Sequence, residues 1–163
     1  MLTVFVTYHY FLGLRNLSII TDTLRSVEKN TGEQVRIEDV PLDDKDVFSE
    51  IFSKGRTDSV FQFESQGMKE MLTKFKPETI EEVILLVAAY RPGPLQFLPE
   101  IIETKNTGKK PEYVIPEMED ILGVTYGKPI YQEQLMQIFN RFAGFSLGES
   151  DIIRRLNNIE HLL

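Results

Sequence analysis

The chain has 163 residues, of which 42% are hydrophobic and 26% are charged, as in an ordinary globular domain. It contains no cysteine and only two histidines, which excludes disulfide frameworks and thiolate or histidine-rich metal sites. No apolar run reaches the length of a membrane-spanning helix. The formal net charge of -7 argues against a protein that coats nucleic acid by charge alone.

The first eight residues form an apolar, β-prone run with no basic residue before it. A secretory signal needs a positively charged start and a longer apolar stretch. Because both the signal and cysteine are missing, the sequence predicts a cytoplasmic protein with no membrane partner.

Apolar residues recur at helical spacing along most of the chain, and short turns separate the segments. The pattern predicts helices ending at Gly32, around residues 47–52 and 68–75, and from Pro77, whose missing N–H costs nothing at a helix start. Arg91-Pro92 ends the Pro77 helix, and further helices follow around residues 98–104, 116–122, 135–142 and 146–156. The predicted fold class is mainly α, with a few very short strands around residues 34–40 and 59–63.

The helix after Pro77 carries the clearest apolar stripe in the chain. The stripe consists of Ile80, Val83, Ile84, Val87 and Ala88. It predicts a helix face that needs burial, either within this chain or against segments of a longer protein. An exposed stripe would favour self-association.

Paired carboxylates occur once as Asp-x-Asp, at Asp44 and Asp46. Such a pair can hold divalent cations for phosphoryl transfer. Acidic residues at a helix start are also explained by capping. Capping is the simpler interpretation here, and the sequence predicts no metal site.

Two polar clusters lie at element boundaries beside aromatic residues. One contains Gln62, Glu64 and Ser65, and the other contains Gln132, Glu133 and Gln134 at a helix start. Side chains of this kind either line a cavity or form caps and a buried hydrogen-bond network. The residues alone leave both interpretations open.

Two adjacent arginines, Arg154 and Arg155, lie on the last predicted helix after Glu149 and Asp151. A guanidinium group is planar and permanently charged, so an adjacent pair can clamp a phosphate. From these residues alone, an exposed charge pair is the simpler interpretation.

Seven short segments carry a resemblance when they are taken in order. They are residues 11–17, 41–44, 61–68, 90–94, 125–127, 131–137 and 150–155, and they include Phe61-Gln62-Phe63-Glu64-Ser65 and Tyr131-Gln132-Glu133-Gln134. In this order and spacing they resemble the alpha subunit of bacterial DNA polymerase III, a C-family replicative polymerase. The chain is identified as similar to this family over about residues 11–155.

The resemblance implies a multi-helix, fingers-type subdomain. It divides the chain into an unmatched leader at 1–10, a palm-exit helix at 11–30, the N-terminal part of the fingers at 31–155 and a divergent tail at 156–163. It implies that Arg154 and Arg155 bind the nucleotide. The residues that it implies near the active site are Gln62, Glu64, Ser65, Arg91, Gln132 and Glu133.

The chain departs from the family pattern at both ends. Tyr10 stands where the family has one of its three catalytic aspartates. A phenol with a pKa of about 10 cannot replace a carboxylate as a magnesium ligand at neutral pH. The other two aspartates belong to palm sequence that this chain lacks, so no catalytic residue is predicted. Departures at both ends are the pattern expected of a truncated or rearranged gene, or of a segment cut from a longer protein.

The function implied by the resemblance is part of a DNA-directed DNA polymerase, which transfers nucleotides from deoxynucleoside triphosphates under template direction. The full-length family implies Mg²⁺, primer–template DNA and other replisome subunits as partners. Alone, the chain is expected to be inactive and to bind DNA weakly or not at all. The alternatives are a non-catalytic interaction module and the remnant of a decayed polymerase gene.

Overall fold

The computed structural model describes residues 14–156, which fall into two compact units. The first unit ends at Pro41 and the second begins at Leu42. Tyr10, the unmatched leader and residues 157–163 of the divergent tail lie outside the described residues.

The described residues are mainly helical, which confirms the predicted fold class. They contain seven α-helices and one π-helix, and no strand occurs between residues 14 and 156. Residues 37–39 form a 3₁₀ turn and residues 59–63 form successive turns in place of the suggested strands. The helices are α1 (Arg15–Thr31), the π-helix (Val47–Phe52), α2 (Gln66–Phe75), α3 (Ile80–Ala89), α4 (Leu98–Thr107), α5 (Glu119–Leu122), α6 (Gln132–Ala143) and α7 (Leu147–Leu156).

Local signals explain where several helices begin and end. α1 ends at Gly32, which adopts a φ of 76° that suits glycine. One carboxylate oxygen of Asp44 accepts hydrogen bonds from the N–H groups of Asp46 and Val47, at 2.9 and 3.4 Å. Capping of the π-helix therefore explains Asp44, as the sequence indicated.

The start of α3 differs from the prediction. Pro77 is buried ahead of the helix, and α3 begins at Ile80 with Thr79 as its N-cap. The Thr79 hydroxyl accepts a hydrogen bond from the Glu82 N–H at 3.3 Å, while a Glu82 carboxylate oxygen accepts one from the Glu78 N–H at 2.7 Å. Side-chain capping at Thr79 therefore decides the start, and the proline ring does not.

The core of the second unit lies among α2, α3 and α4. Aromatic and branched side chains fill it: Phe48, Phe63, Met68, Leu72, Phe75, Val83, Leu85, Leu86, Ala89, Leu98, Ile101 and Ile130. α3 contributes Val83, Leu85, Leu86 and Ala89, of which only Val83 belongs to the predicted stripe, whereas Ile84 is 52% exposed. The predicted stripe is therefore not the main core-facing side of α3. The helix is apolar almost all round after Glu82, so periodicity could not single out the buried face.

A partly buried ionic cluster joins α3 to α4. Glu82 accepts hydrogen bonds from the Lys105 ammonium group and the Tyr126 hydroxyl, both at 2.5 Å. The Lys105 ammonium also lies 5.2 Å from the centre of the Phe75 ring. Burial opposes ionisation of Glu82, but the hydrogen bonds from Lys105, Tyr126 and the Glu78 N–H outweigh it and lower the Glu82 pKa. The Glu82 carboxyl group therefore stays ionised, and its contacts tie two core helices together.

A buried carboxamide joins α5 to α6. The Gln134 oxygen accepts hydrogen bonds from the N–H groups of Ile130 and Tyr131, each at 2.9 Å. Its nitrogen donates to the Ile121 carbonyl at 2.9 Å and the Thr125 hydroxyl at 2.8 Å. All four hydrogen-bonding positions of this side chain are therefore used inside the protein.

We predict that Gln134→Leu lowers the free energy of unfolding by about 3 kcal/mol, because it leaves buried N–H and carbonyl groups without partners. Gln137→Leu is the matched control on the same helix, because Gln137 is exposed, and we expect it to change stability by less than about 0.5 kcal/mol. Urea denaturation followed by circular dichroism measures both. Equal stabilities of the two variants would contradict the assigned role of Gln134.

Candidate functional site

The second unit contains an open cleft of about 1120 Å³ that both apolar and polar residues line. It is formed by the turn before α2, the exposed side of α3, the proline-rich segment after α3, the start of α6 and the end of α7. The lining residues are Gln62, Phe63, Val83, Ile84, Val87, Ala88, Arg91, Pro92, Pro94, Ile130, Tyr131, Gln132, Glu133, Leu135, Arg154 and Arg155.

Six of the eight residues predicted near the site line this cleft. They are Gln62, Arg91, Gln132, Glu133, Arg154 and Arg155, which come from four separate parts of the sequence. Glu64 and Ser65 do not line it. Glu64 is exposed, and the Ser65 hydroxyl accepts a hydrogen bond from the Met68 N–H at 3.3 Å as the N-cap of α2.

The start of α7 is fixed by a reciprocal cap. The Ser146 N–H and hydroxyl donate to a Glu149 carboxylate oxygen at 2.8 and 2.7 Å, and the Glu149 N–H donates to the Ser146 hydroxyl at 3.3 Å. Ser150 is fully buried, and its hydroxyl donates to the Ser146 carbonyl at 2.9 Å. These contacts hold the first turn of α7, and the helical repeat then directs Arg154 and Arg155 to the cleft.

One carboxylate holds both arginines. Arg154 donates from Nε and Nη2 to one oxygen of Asp151, at 3.1 and 2.7 Å. Arg155 lies 2.7 Å from the other oxygen. The hydrogen bond from Arg154 is the main reason that the pKa of Asp151 lies below its ordinary value, and Arg155 adds to the effect. Asp151 thus orders two cations while it neutralises only one of them.

Sequence reasoning noted Asp151 but gave it no role. Its spacing of three and four residues from the arginines is the signal for this contact, because side chains at i, i+3 and i+4 are neighbours on a helix. The same spacing is common on helices without any binding role. Only the placement of α7 at the cleft gives it significance.

The turn that carries Gln62 is held from the core side. The buried Thr57 hydroxyl donates to the Phe63 carbonyl at 2.7 Å, and the Phe63 N–H donates to the Val60 carbonyl at 2.9 Å. Phe63 is buried, with its ring edge-on to Phe52 at 5.4 Å. Gln62 itself adopts a φ of 67° and is exposed at the cleft.

The start of α6 resolves the alternatives for the second polar cluster. Gln134 belongs to the buried network, whereas Gln132 and Glu133 are exposed and line the cleft. Tyr131 also lines the cleft, and burial raises the pKa of its phenol. Both interpretations of the cluster are therefore correct, each for different residues.

The apolar residues that line the cleft were not predicted as part of the site. Ile84, Val87 and Ala88 present the second apolar side of α3 there, together with Leu135 of α6. They share their residue types with the core, so the sequence carried no signal that separates a cleft wall from a buried face.

The lining chemistry suits an anionic ligand with a flat apolar part. Arg91, Arg154 and Arg155 are three cationic donors, and Glu133 is the one carboxylate among the lining residues. Guanidinium groups donate fork-like pairs of hydrogen bonds that match phosphate oxygens.

Between residues 14 and 156, no three histidine, cysteine, aspartate or glutamate side chains lie together in a way that could hold a metal ion. The carboxylate next to the arginines, Asp151, is already engaged by both of them.

The described residues form a mainly helical fold whose cleft is lined by an arginine pair, and comparison with known proteins gives the family. The model of the bacterial DNA polymerase III alpha subunit finger domain matches residues 16–158. The chain belongs to this family.

Two relatives illustrate the match. The DNA polymerase III subunit alpha of Staphylococcus aureus (strain COL) is 48% identical over 145 residues, and that of Halalkalibacterium halodurans is 43% identical over 145 residues. Each alignment covers 89% of this chain, but only 14% and 13% of the respective relative. The chain therefore spans about one seventh of the length of the curated relatives that it matches.

Among the helices of the described residues, none combines the length and apolar character needed to cross a bilayer.

We predict that the Asp151 carboxyl titrates below 3.8 in this chain and moves up towards that value in Arg154→Met. Because its pKa is lowered on folding, its ion pairs stabilise α7 above the ordinary aspartate pKa and are lost as the pH falls through the lowered value. Carboxyl-detected NMR titration measures both proteins. Arg155→Met is the comparison variant and should cause a smaller shift, and an unshifted Asp151 in Arg154→Met would refute the assigned pairing.

Proposed function

We propose that this chain is part of the fingers of a bacterial replicative DNA polymerase and that its cleft binds the incoming deoxynucleoside triphosphate. The supporting observation is the convergence of Arg154, Arg155 and Arg91 on one cleft that apolar residues of α3 also line. Guanidinium groups suit the triphosphate, and the α3 side suits the base or sugar. Family membership makes DNA synthesis the reaction that this surface would serve.

In this proposal the chain supplies binding surface and other parts of the polymerase supply the chemistry. Residues 11–30 would be the exit from the palm, and residues 31–155 would be the N-terminal part of the fingers. Magnesium, primer–template DNA and other replisome subunits would be partners of the complete polymerase. The assembly would act in the cytoplasm, where the chromosome is copied.

The cleft also explains how a chain with a net charge of -7 can bind a polyanion. Its lining carries three arginines against one glutamate, so the local charge is opposite in sign to the overall charge. Salt screens interactions beyond about 8 Å at physiological ionic strength, so these nearby arginines dominate for a bound triphosphate.

We predict that the 163-residue chain binds deoxyadenosine triphosphate and that the double variant Arg154→Ala/Arg155→Ala weakens binding by at least about tenfold, because charge-assisted hydrogen bonds to phosphate are lost. Isothermal titration calorimetry without metal measures the affinity. Affinity should also fall as salt is raised.

Arg141→Ala is the matched control. Arg141 is an arginine of α6 that pairs with Asp120 at 2.9 Å and does not line the cleft. Its loss should leave the affinity unchanged. Absence of binding at millimolar nucleotide would overturn the proposal and favour a structural remnant, and equal losses in the control and the double variant would indicate nonspecific charge attraction.

We predict no primer extension by this chain alone with magnesium and a primed template. Tyr10 stands in place of a family aspartate, and a phenol is not a magnesium ligand at neutral pH. Gel analysis of a labelled primer tests this, with a complete replicative polymerase as the positive control. Extension above background would contradict the prediction.

A further inference from the structure

Gln62 has a backbone conformation that glycine would adopt with less strain. Its φ of 67° lies in the left-handed region, where a side chain crowds the backbone. The turn is held at Phe63, because the buried Thr57 hydroxyl donates to the Phe63 carbonyl at 2.7 Å and the Phe63 side chain is buried in the core. The core therefore imposes this conformation on whatever residue occupies position 62.

The Gln62 side chain does nothing visible to stabilise the turn. Its carboxamide makes no hydrogen bond with any residue between 14 and 156, and the residue is exposed at the cleft that Arg154 and Arg155 line. The contrast with Gln134 is direct, since that carboxamide uses all four of its hydrogen-bonding positions inside the protein. A strained residue with a free polar side chain at a cleft points to a contact with a ligand.

We propose that the Gln62 carboxamide hydrogen-bonds the nucleoside part of the triphosphate, while the arginines bind its phosphates. A carboxamide both donates and accepts, so it matches the mixed donors and acceptors of a base or a deoxyribose. It is a poorer partner than guanidinium for a phosphate, because it carries no charge. This inference rests on the proposed function and adds a second contact to the same site.

The test separates the carboxamide from the backbone strain. Gln62→Ala removes the carboxamide and keeps the left-handed strain, whereas Gln62→Gly removes both. Ser59→Gly is the matched control, because Ser59 has a φ of 64° in the preceding turn and does not line the cleft. Calorimetry measures the affinity of each protein for deoxyadenosine triphosphate and for inorganic tripolyphosphate.

We expect both Gln62 variants to bind deoxyadenosine triphosphate about five- to tenfold more weakly, the range of one lost hydrogen bond. Tripolyphosphate affinity should stay unchanged, and so should both affinities of Ser59→Gly. Gln62→Gly and Ser59→Gly should leave the thermal midpoint unchanged or raise it by up to about 3 °C, which shows that the variants are folded.

Three results would overturn the inference: unchanged nucleotide affinity in Gln62→Ala, weaker binding in Gln62→Gly alone, or an equal loss for tripolyphosphate. The arginine variants separate this failure from that of the proposed function. If the double arginine variant loses affinity but Gln62→Ala does not, the result supports the nucleotide site and refutes the Gln62 contact. If the wild-type chain binds neither compound, both the nucleotide site and the Gln62 contact are refuted.

Discussion

The buried carboxamide of Gln134 is the contact on which the cleft most depends. Its oxygen accepts hydrogen bonds from the N–H groups of Ile130 and Tyr131. Its nitrogen donates to the Ile121 carbonyl and the Thr125 hydroxyl. This arrangement sets the first turn of α6, and with it the direction of Gln132 and Glu133. Because α6 packs against α7, the position of α6 also fixes the position of the arginine pair on α7. A polar group deep in the protein is costly unless every bond is made, so the arrangement has few alternatives.

Charges serve different purposes in the core and at the cleft. Lys105 is 11% exposed and Glu82 is 14% exposed, and their pairing with Tyr126 holds α3 against α4. Arg155, by contrast, is 71% exposed. Its contact with Asp151 orders the side chain but leaves most of the guanidinium accessible to a ligand. The pair of Glu82 and Lys105 contributes to stability, whereas the contact of Arg155 with Asp151 leaves a guanidinium group exposed at the cleft.

The two apolar sides of α3 link the fold to the cleft. Leu85, Leu86 and Ala89 bury one side, and Ile84 and Val87 present the other to the cleft. A helix with a single stripe could serve only the core, but α3 is apolar nearly all round after Glu82. The expectation that its stripe needs burial is therefore met only in part within the described residues. The cleft side is where we place the apolar part of the ligand.

Several features followed from the sequence by itself: the mainly α fold, the positions of most helices, the capping by Asp44 and the family. These are local or linear properties, set by side-chain periodicity, helix capping and the order of motifs. The tertiary structure alone decided which polar residues meet. It brought Gln62, Arg91, Gln132 and Arg154 to one cleft, excluded Glu64 and Ser65, and divided one polar cluster between a buried network and the cleft wall. No local pattern could make that division, because a glutamine that faces the core and one that faces solvent are the same residue until the helices pack.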